Sequence, residues 1–116
     1  MNAMTTSWVE VCALKDIPAR GSRVVRTGRG QIAVFRTADD EVFALDNRCP
    51  HKGGPLSEGI VHGRQVTCPL HNWVIRLEDG EATGADKGCV RPFPVRLEDG
   101  RVFLNLRHTG KEEGIS

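Results

Sequence analysis

The chain has 116 residues, of which 39% are hydrophobic and 27% are charged, and its formal net charge is +1. This length predicts one domain with a modest core, and this composition excludes a disordered chain. Basic residues are scattered, so the sequence predicts no nucleic-acid or membrane surface. The first seven residues have no positively charged n-region and no apolar run, so we expect no secretory signal, and no stretch approaches the length of a membrane span. We therefore expect a cytoplasmic protein.

The first half of the chain consists of short β-type runs separated by turn residues. Residues 8–14 alternate apolar and polar side chains closely enough to predict a first strand. Residues 22–27 and 31–37 flank a glycine turn, which predicts a hairpin. Residues 41–46 form a further predicted strand, which leads the chain to Cys49.

The second half repeats this pattern of short runs and turns. The predicted strands are residues 60–62, 65–67, 73–77, 94–97 and 101–106. The first two of these flank a tight connection at residues 62–64, which predicts a hairpin. The last two surround Asp99-Gly100, a strong signal for another tight hairpin. About ten short strands without a convincing amphipathic helix predict an all-β fold, an antiparallel sandwich or barrel.

The sequence also predicts how this single domain, residues 1–116, is organised. Residues 8–46 and 73–107 are expected to form a β base. Residues 47–72 are expected to form an inserted metal-binding subdomain. Residues 108–116 are polar and are predicted to be a frayed tail.

Four candidate metal ligands lie in two of the predicted loops. Cys49 and His51 form Cys-x-His, and after sixteen intervening residues Cys68 and His71 form Cys-x-x-His. Two thiolates and two imidazoles are the ligand set of a [2Fe-2S] centre in which two histidines replace two cysteines on one iron. We expect the cysteines to hold one iron and the histidines the other. Replacing two thiolates with neutral imidazoles removes two negative charges from around the cluster, which makes reduction of the cluster easier.

The residues around the ligands suit close packing against such a centre. Pro50 and Pro69 fix the backbone φ angle directly after each cysteine. Gly53, Gly54 and Gly59 are expected to let the backbone pass close to the cluster and to aim N–H groups at its sulfides.

A mononuclear zinc site with two cysteines and two histidines is the alternative reading of the same ligands. Such sites usually place two to four residues between the cysteines, and Cys-x-His fits that spacing poorly. The alternative describes a protein of another class, an interaction module in which zinc only holds the loops. It predicts a colourless protein, whereas an iron–sulfur centre predicts a red-brown one.

Other residues able to bind metal have simpler explanations. Cys12 and Cys89 lie in or beside apolar segments and are predicted to be small core residues. His62 and His108 have no cysteine nearby and are predicted to face solvent. Trp73 is predicted to pack over the metal-binding subdomain.

These motifs resemble the Rieske family at all four ligand positions. High-potential Rieske proteins of respiratory complexes carry two further loop cysteines, but here residues such as Lys52, Gly53 and Leu70 stand in the corresponding places. The chain has no tyrosine, and Asn72-Trp73 follows the last histidine where that group has Gly-Ser. The resemblance therefore implies a low-potential ferredoxin type, with a Rieske-type fold and one [2Fe-2S] cluster per chain.

A narrower resemblance covers residues 8–106. The runs Cys49–His62, Cys68–Trp73 and Gly88–Arg91 look like the small subunit of assimilatory NAD(P)H-dependent nitrite reductase. In that family the large subunit carries FAD, sirohaem and a [4Fe-4S] cluster and reduces nitrite to ammonium in nitrate assimilation. The resemblance implies an electron-transfer subunit with that partner and no independent active site. The alternative is the ferredoxin of a ring-hydroxylating dioxygenase, which has the same ligands.

Overall fold

The computed structural model describes residues 8–27, 30–48, 54–69, 73–83 and 88–106. These ranges contain ten strands and two short 3-10 turns, and all the strand pairings are antiparallel. No helix in them is long and apolar enough to cross a membrane. The strands are β1 (Trp8–Ala13), β2 (Gly21–Thr27), β3 (Gly30–Arg36), β4 (Val42–Asp46), β5 (Ile60–His62), β6 (Gln65–Thr67), β7 (Val74–Arg76), β8 (Pro92–Phe93), β9 (Val95–Glu98) and β10 (Arg101–Asn105).

The strands form three sheets, which confirms the predicted all-β fold. The terminal sheet has the order β1-β10-β9, the central sheet β2-β3-β4-β8, and the loop sheet β5-β6-β7. The three predicted hairpins are present as β2–β3, β5–β6 and β9–β10. In the last of these, Asp99 and Gly100 both have positive φ angles, of 51° and 75°. This is the geometry of the two-residue turn that matches the twist of paired strands.

Two apolar cores fill the spaces beside the central sheet. The base core lies between the terminal and central sheets, and the loop core lies between the central and loop sheets. The base core consists of Cys12, Ile17, Ile32, Val34, Ala44, Phe93, Val102 and Leu104. The loop core consists of Ala33, Phe35, Leu45, Leu56, Val61, Val66, Cys68, Ile75, Leu77 and Val90.

Strand β3 is apolar at four successive positions because both of its faces are buried. Successive side chains of a strand point to opposite faces. Ile32 and Val34 therefore join the base core, while Ala33 and Phe35 join the loop core, and all four have no exposed surface. β3 therefore packs against the base core with one face and against the loop core with the other.

The sequence did not predict strand β8. Its two residues pair with Ala44 and Leu45 at the edge of the central sheet. Two residues that include a proline have no measurable periodicity, so the pairing depends on tertiary contacts. The predicted boundaries of the metal-binding subdomain, at residues 47 and 73, stay a prediction. β7 directly follows the second boundary and pairs with β6 inside the predicted subdomain.

Candidate metal centre

Of the four predicted ligands, Cys68 lies among the described residues. Its side chain has no exposed surface and belongs to the loop core. Cys49, His51 and His71 lie outside the described residues, so the complete ligand set stays a prediction. Among the residues that the structure describes, no three His, Cys, Asp or Glu side chains form a group able to hold a metal ion.

The second ligand loop, residues 68–72, is closed at its base by backbone contacts. The Cys68 N–H donates a hydrogen bond to the Trp73 carbonyl oxygen, 2.7 Å away. The pairing of Thr67 with Val74 continues this closure into the loop sheet. The half-buried Trp73 packs against the loop core, which confirms its predicted packing role. The two ends of the loop therefore lie side by side.

The first ligand loop, residues 48–56, is closed by a side chain. The Oδ1 of Asn47 accepts a hydrogen bond from the Ser57 N–H at 2.8 Å. Leu56, at the end of the loop, is fully buried in the loop core. The Ser22 hydroxyl donates to the Ser57 carbonyl oxygen, also at 2.8 Å, and this links the exit of the loop to β2.

Gly59 brings the segment after the first ligand loop close to the segment before the second. A Cβ atom at this position would lie 2.3 Å from the Thr67 carbonyl oxygen, so only glycine allows this approach. Thr67 directly precedes Cys68. The prediction that Gly59 aims its N–H at the cluster is wrong, because this N–H donates to the Leu56 carbonyl oxygen at 2.9 Å. Gly59 instead allows close backbone packing between the segments that flank the two loops.

The described residues fit a [2Fe-2S] group held between the two loops. The loop ends are adjacent, and the Cys68 sulfur is withdrawn from water among apolar side chains. The predicted donor set supplies thiolates and imidazoles, the ligands of this group. Such a group, when bound, supplies one-electron redox chemistry. The chain's own part is to bind it, to orient it and to exclude water on the side of the loop core.

Arg64, at the far end of the β5–β6 hairpin, ties the loop sheet to the central sheet. Its guanidinium makes two hydrogen bonds to the Glu41 carboxylate, at 2.9 and 2.6 Å, and one to Glu78 at 2.6 Å. It also lies over the ring of Phe43, 5.9 Å from the centroid. The hydrogen bond from Arg64 lowers the pKa of Glu41. The carboxylates of Glu41 and Glu78 raise the pKa of Arg64 in turn.

The predictions for the other cysteines and histidines are confirmed in part. Cys12 is buried in the base core as predicted, and burial raises the pKa of its thiol. Cys89 is exposed, so its predicted core position is wrong. The next residue, Val90, is buried, and alternation then turns Cys89 outward. His62 is exposed as predicted, with a ring nitrogen 2.7 Å from the Thr67 hydroxyl. His108 lies outside the described residues.

Two positions at the site were missed by the reasoning from sequence. Asn47 closes the first ligand loop, and Arg64 fastens the hairpin. A polar amide directly after an apolar strand and two residues before a predicted ligand is a usable signal for Asn47. Nothing in the pattern around Arg64 separates it from the other surface arginines.

The fold and the loop bases define a class of small iron–sulfur electron-transfer domains. Three antiparallel sheets carry the ends of the two predicted ligand loops, and one predicted thiolate ligand is buried at the start of the second loop. The family model for the Rieske-like [2Fe-2S] domain matches residues 7–105. The chain belongs to this family. It is a Rieske electron-transfer protein, and its cofactor is a Rieske-type [2Fe-2S] cluster.

Relatives within this family serve different redox systems. The chain is 42% identical over 109 residues to the anthranilate 1,2-dioxygenase ferredoxin subunit of Burkholderia cepacia, covering 90% of this chain and 96% of the relative. It is 36% identical over 102 residues to the nitrite reductase [NAD(P)H] large subunit of Klebsiella oxytoca, covering 84% of this chain and 11% of that protein. A solved structure described as an NADH-dependent nitrite reductase small subunit, from Mycobacterium tuberculosis, superposes with a TM-score of 0.75 at 30% identity, covering 84% and 92%.

Proposed function

We propose that Cys49, His51, Cys68 and His71 hold the [2Fe-2S] cluster and that the protein passes single electrons to a larger reductase. The single observation that supports this best is the junction of the two ligand loops, where Gly59 touches the residue before the buried Cys68. This contact supports the proposal, because it joins the chain that follows the first ligand loop to Thr67, directly before Cys68. No independent active site is expected in this chain.

We further propose that the partner is the large subunit of an NAD(P)H-dependent nitrite reductase, which carries FAD, sirohaem and a [4Fe-4S] cluster. The resemblance in the ligand runs supports this assignment. So do the match to a segment of the Klebsiella oxytoca nitrite reductase and the superposition on the Mycobacterium tuberculosis small subunit. The protein would then serve nitrite reduction to ammonium in the cytoplasm.

A dioxygenase system is the second candidate. The 42% identity with the Burkholderia cepacia ferredoxin subunit extends over nearly the whole of both chains and favours it. The two roles use the same cluster chemistry and differ in the surface that meets the partner, so the test has to identify the partner directly.

Recovery of the tagged protein from its own cells distinguishes these roles. Cells grown on nitrate as the nitrogen source are expected to yield a complex that shows sirohaem absorption and oxidises NADH or NADPH when nitrite is added. The isolated chain is expected to contain iron and acid-labile sulfide in equal amounts. A His71→Ala protein serves as the control, because it is expected to restore no nitrite-dependent oxidation when added to the large subunit.

Two results would contradict the proposal in different ways. Recovery of an aromatic-ring oxygenase instead of a sirohaem protein would favour the second candidate, in which the chain passes electrons to a dioxygenase. A colourless chain that contains zinc would reject the iron–sulfur ligand assignment altogether and favour the interaction module.

A further inference from the structure

Two polar side chains are buried among the described residues, and they hold different parts of the chain. They are Thr37, with 2% of its surface exposed, and Asn47, with 8%. The Thr37 hydroxyl accepts hydrogen bonds from Asp39 and Glu41 and closes the turn between β3 and β4. Asn47 lies at the opposite end of β4, where the chain enters the first ligand loop.

Asn47 uses three groups to make three contacts. Its backbone N–H donates to the Gln31 carbonyl oxygen at 3.0 Å, and its side-chain Nδ2 donates to the Gln31 Oε1 at 3.1 Å. Its Oδ1 accepts from the N–H of Ser57, a residue ten positions further along the chain. A backbone N–H can only donate, so this contact assigns the amide oxygen and leaves Nδ2 for Gln31.

These contacts connect both ends of the first ligand loop to one strand of the base. The loop begins directly after Asn47 and ends directly before Ser57, and Gln31 belongs to β3. Removal of the amide would leave the Ser57 N–H without its acceptor and would release the loop exit from the loop entrance. The loop would then sample more conformations, at a cost to any geometry that its ligands require.

We propose that Asn47 is the positioning residue of the first ligand loop, and that it fixes the placement of Cys49 and His51 by joining the loop ends to each other and to β3. This inference rests on the proposed ligand assignment. Asn47 acts through the loop and is not itself a ligand. It therefore determines how long the cluster is retained and how symmetric the ligand field is, more than whether the β base folds.

The test compares the intact wild-type protein with three variants. Asn47→Ala removes both side-chain contacts. Asn47→Asp retains an oxygen that can accept from Ser57. Thr37→Val is the matched control, because it removes a buried hydroxyl that holds a turn away from the ligand loops. The measurements are the rate of bleaching by a ferrous chelator, the EPR spectrum of the reduced protein and the thermal unfolding of each variant.

Asn47→Ala is expected to lose its cluster about tenfold faster than the wild type and to broaden the EPR signal, as expected for the loss of a buried hydrogen-bond acceptor. Asn47→Asp is expected to stay within about twofold of the wild-type bleaching rate, because the contact that closes the loop is retained. Thr37→Val is expected to lower the unfolding temperature while the bleaching rate and the EPR signal stay as in the wild type.

The inference is overturned if Asn47→Ala retains the cluster as long as the wild type with an unchanged EPR signal. It is also overturned if Thr37→Val bleaches equally fast. If Asn47→Ala does not fold, Gln31→Ala tests the same network from an exposed residue, and an unchanged bleaching rate there also counts against the inference. A wild-type protein without a Rieske EPR signal would instead reject the proposed ligands, so the two failures are distinguishable.

Discussion

Cys68 differs from the other described cysteines in what surrounds it and in where the chain goes next. Cys12 is enclosed by the base core, and Cys89 faces solvent. Cys68 lies in the loop core at the mouth of a closed loop, with the predicted ligand His71 three residues further on. A fully buried thiol that stands directly after the contact between Gly59 and Thr67 suits a ligand more than a core residue.

Replacement of His71 tests the ligand set at the residue scale. His71→Ala is expected to abolish the Rieske EPR signal and most of the bound iron, because the loss of an imidazole opens one iron to solvent. The β base is expected to remain folded by circular dichroism. His62→Ala is the matched control. His62 is exposed on β5, and its replacement is expected to leave the spectrum unchanged. An unchanged spectrum in His71→Ala would contradict the ligand assignment.

At the scale of strands and turns, local signals were sufficient for part of the fold. The hairpins β2–β3, β5–β6 and β9–β10 were predictable because their turn residues and flanking β-type runs are contiguous in the sequence. Strand β8 was not predictable, since a two-residue pairing exists only where the base is already assembled.

The candidate site, like the fold, was predictable only in part. The ligand pattern was readable because its chemistry resides in the residue types and their spacing. The role of Gly59 was misjudged, because a contact with Thr67 depends on how the two loops meet. The position of Asn47 before the ligand run was a usable signal, although its contact with Ser57 is visible only in the fold. The ion pairs of Arg64 join residues far apart in the sequence, and no local pattern encodes them.

The ion pair between Arg64 and Glu41 predicts a pH dependence of stability. Its hydrogen bond lowers the pKa of Glu41 in the folded protein, so this contribution is present above the ordinary glutamate pKa of about 4.3 and is lost as the pH falls through the lowered value. Arg64→Gln is expected to flatten the acid side of a plot of unfolding temperature against pH. The change is expected to be small, because both side chains are half-exposed and screened by salt.

The matched control for this prediction is Arg76→Gln. Arg76 pairs with Asp79 within one turn, and this pair also lowers the pKa of the carboxyl group. It joins residues three apart and does not connect two sheets. Arg76→Gln is therefore expected to change the pH profile without increasing hydrogen exchange in β5 and β6, whereas Arg64→Gln is expected to increase it. Equal exchange in both variants would show that Arg64 does not fasten the hairpin.

For the whole molecule, the two cores are expected to depend differently on the cofactor. The base core is closed by apolar side chains of the chain itself, between strands of up to seven residues. The loop core is covered by three-residue strands and contains the predicted ligand Cys68. Short hairpins are marginal by themselves, so the cluster is expected to supply much of the stability of the loop sheet.

Removal of the cluster under reducing conditions with a chelator should therefore unfold the molecule locally. Hydrogen exchange is expected to increase strongly in residues 60–67 and 74–76, while residues 32–35 and 102–104 stay protected, because their partners remain paired. The control is Leu104→Ala, a base-core truncation that costs about 2–5 kcal/mol and is expected to lower protection throughout the chain. Uniform loss of protection on cluster removal would mean that the two cores form one cooperative unit. Unchanged protection in the loop sheet would mean that the ligand loops need no metal to hold their fold.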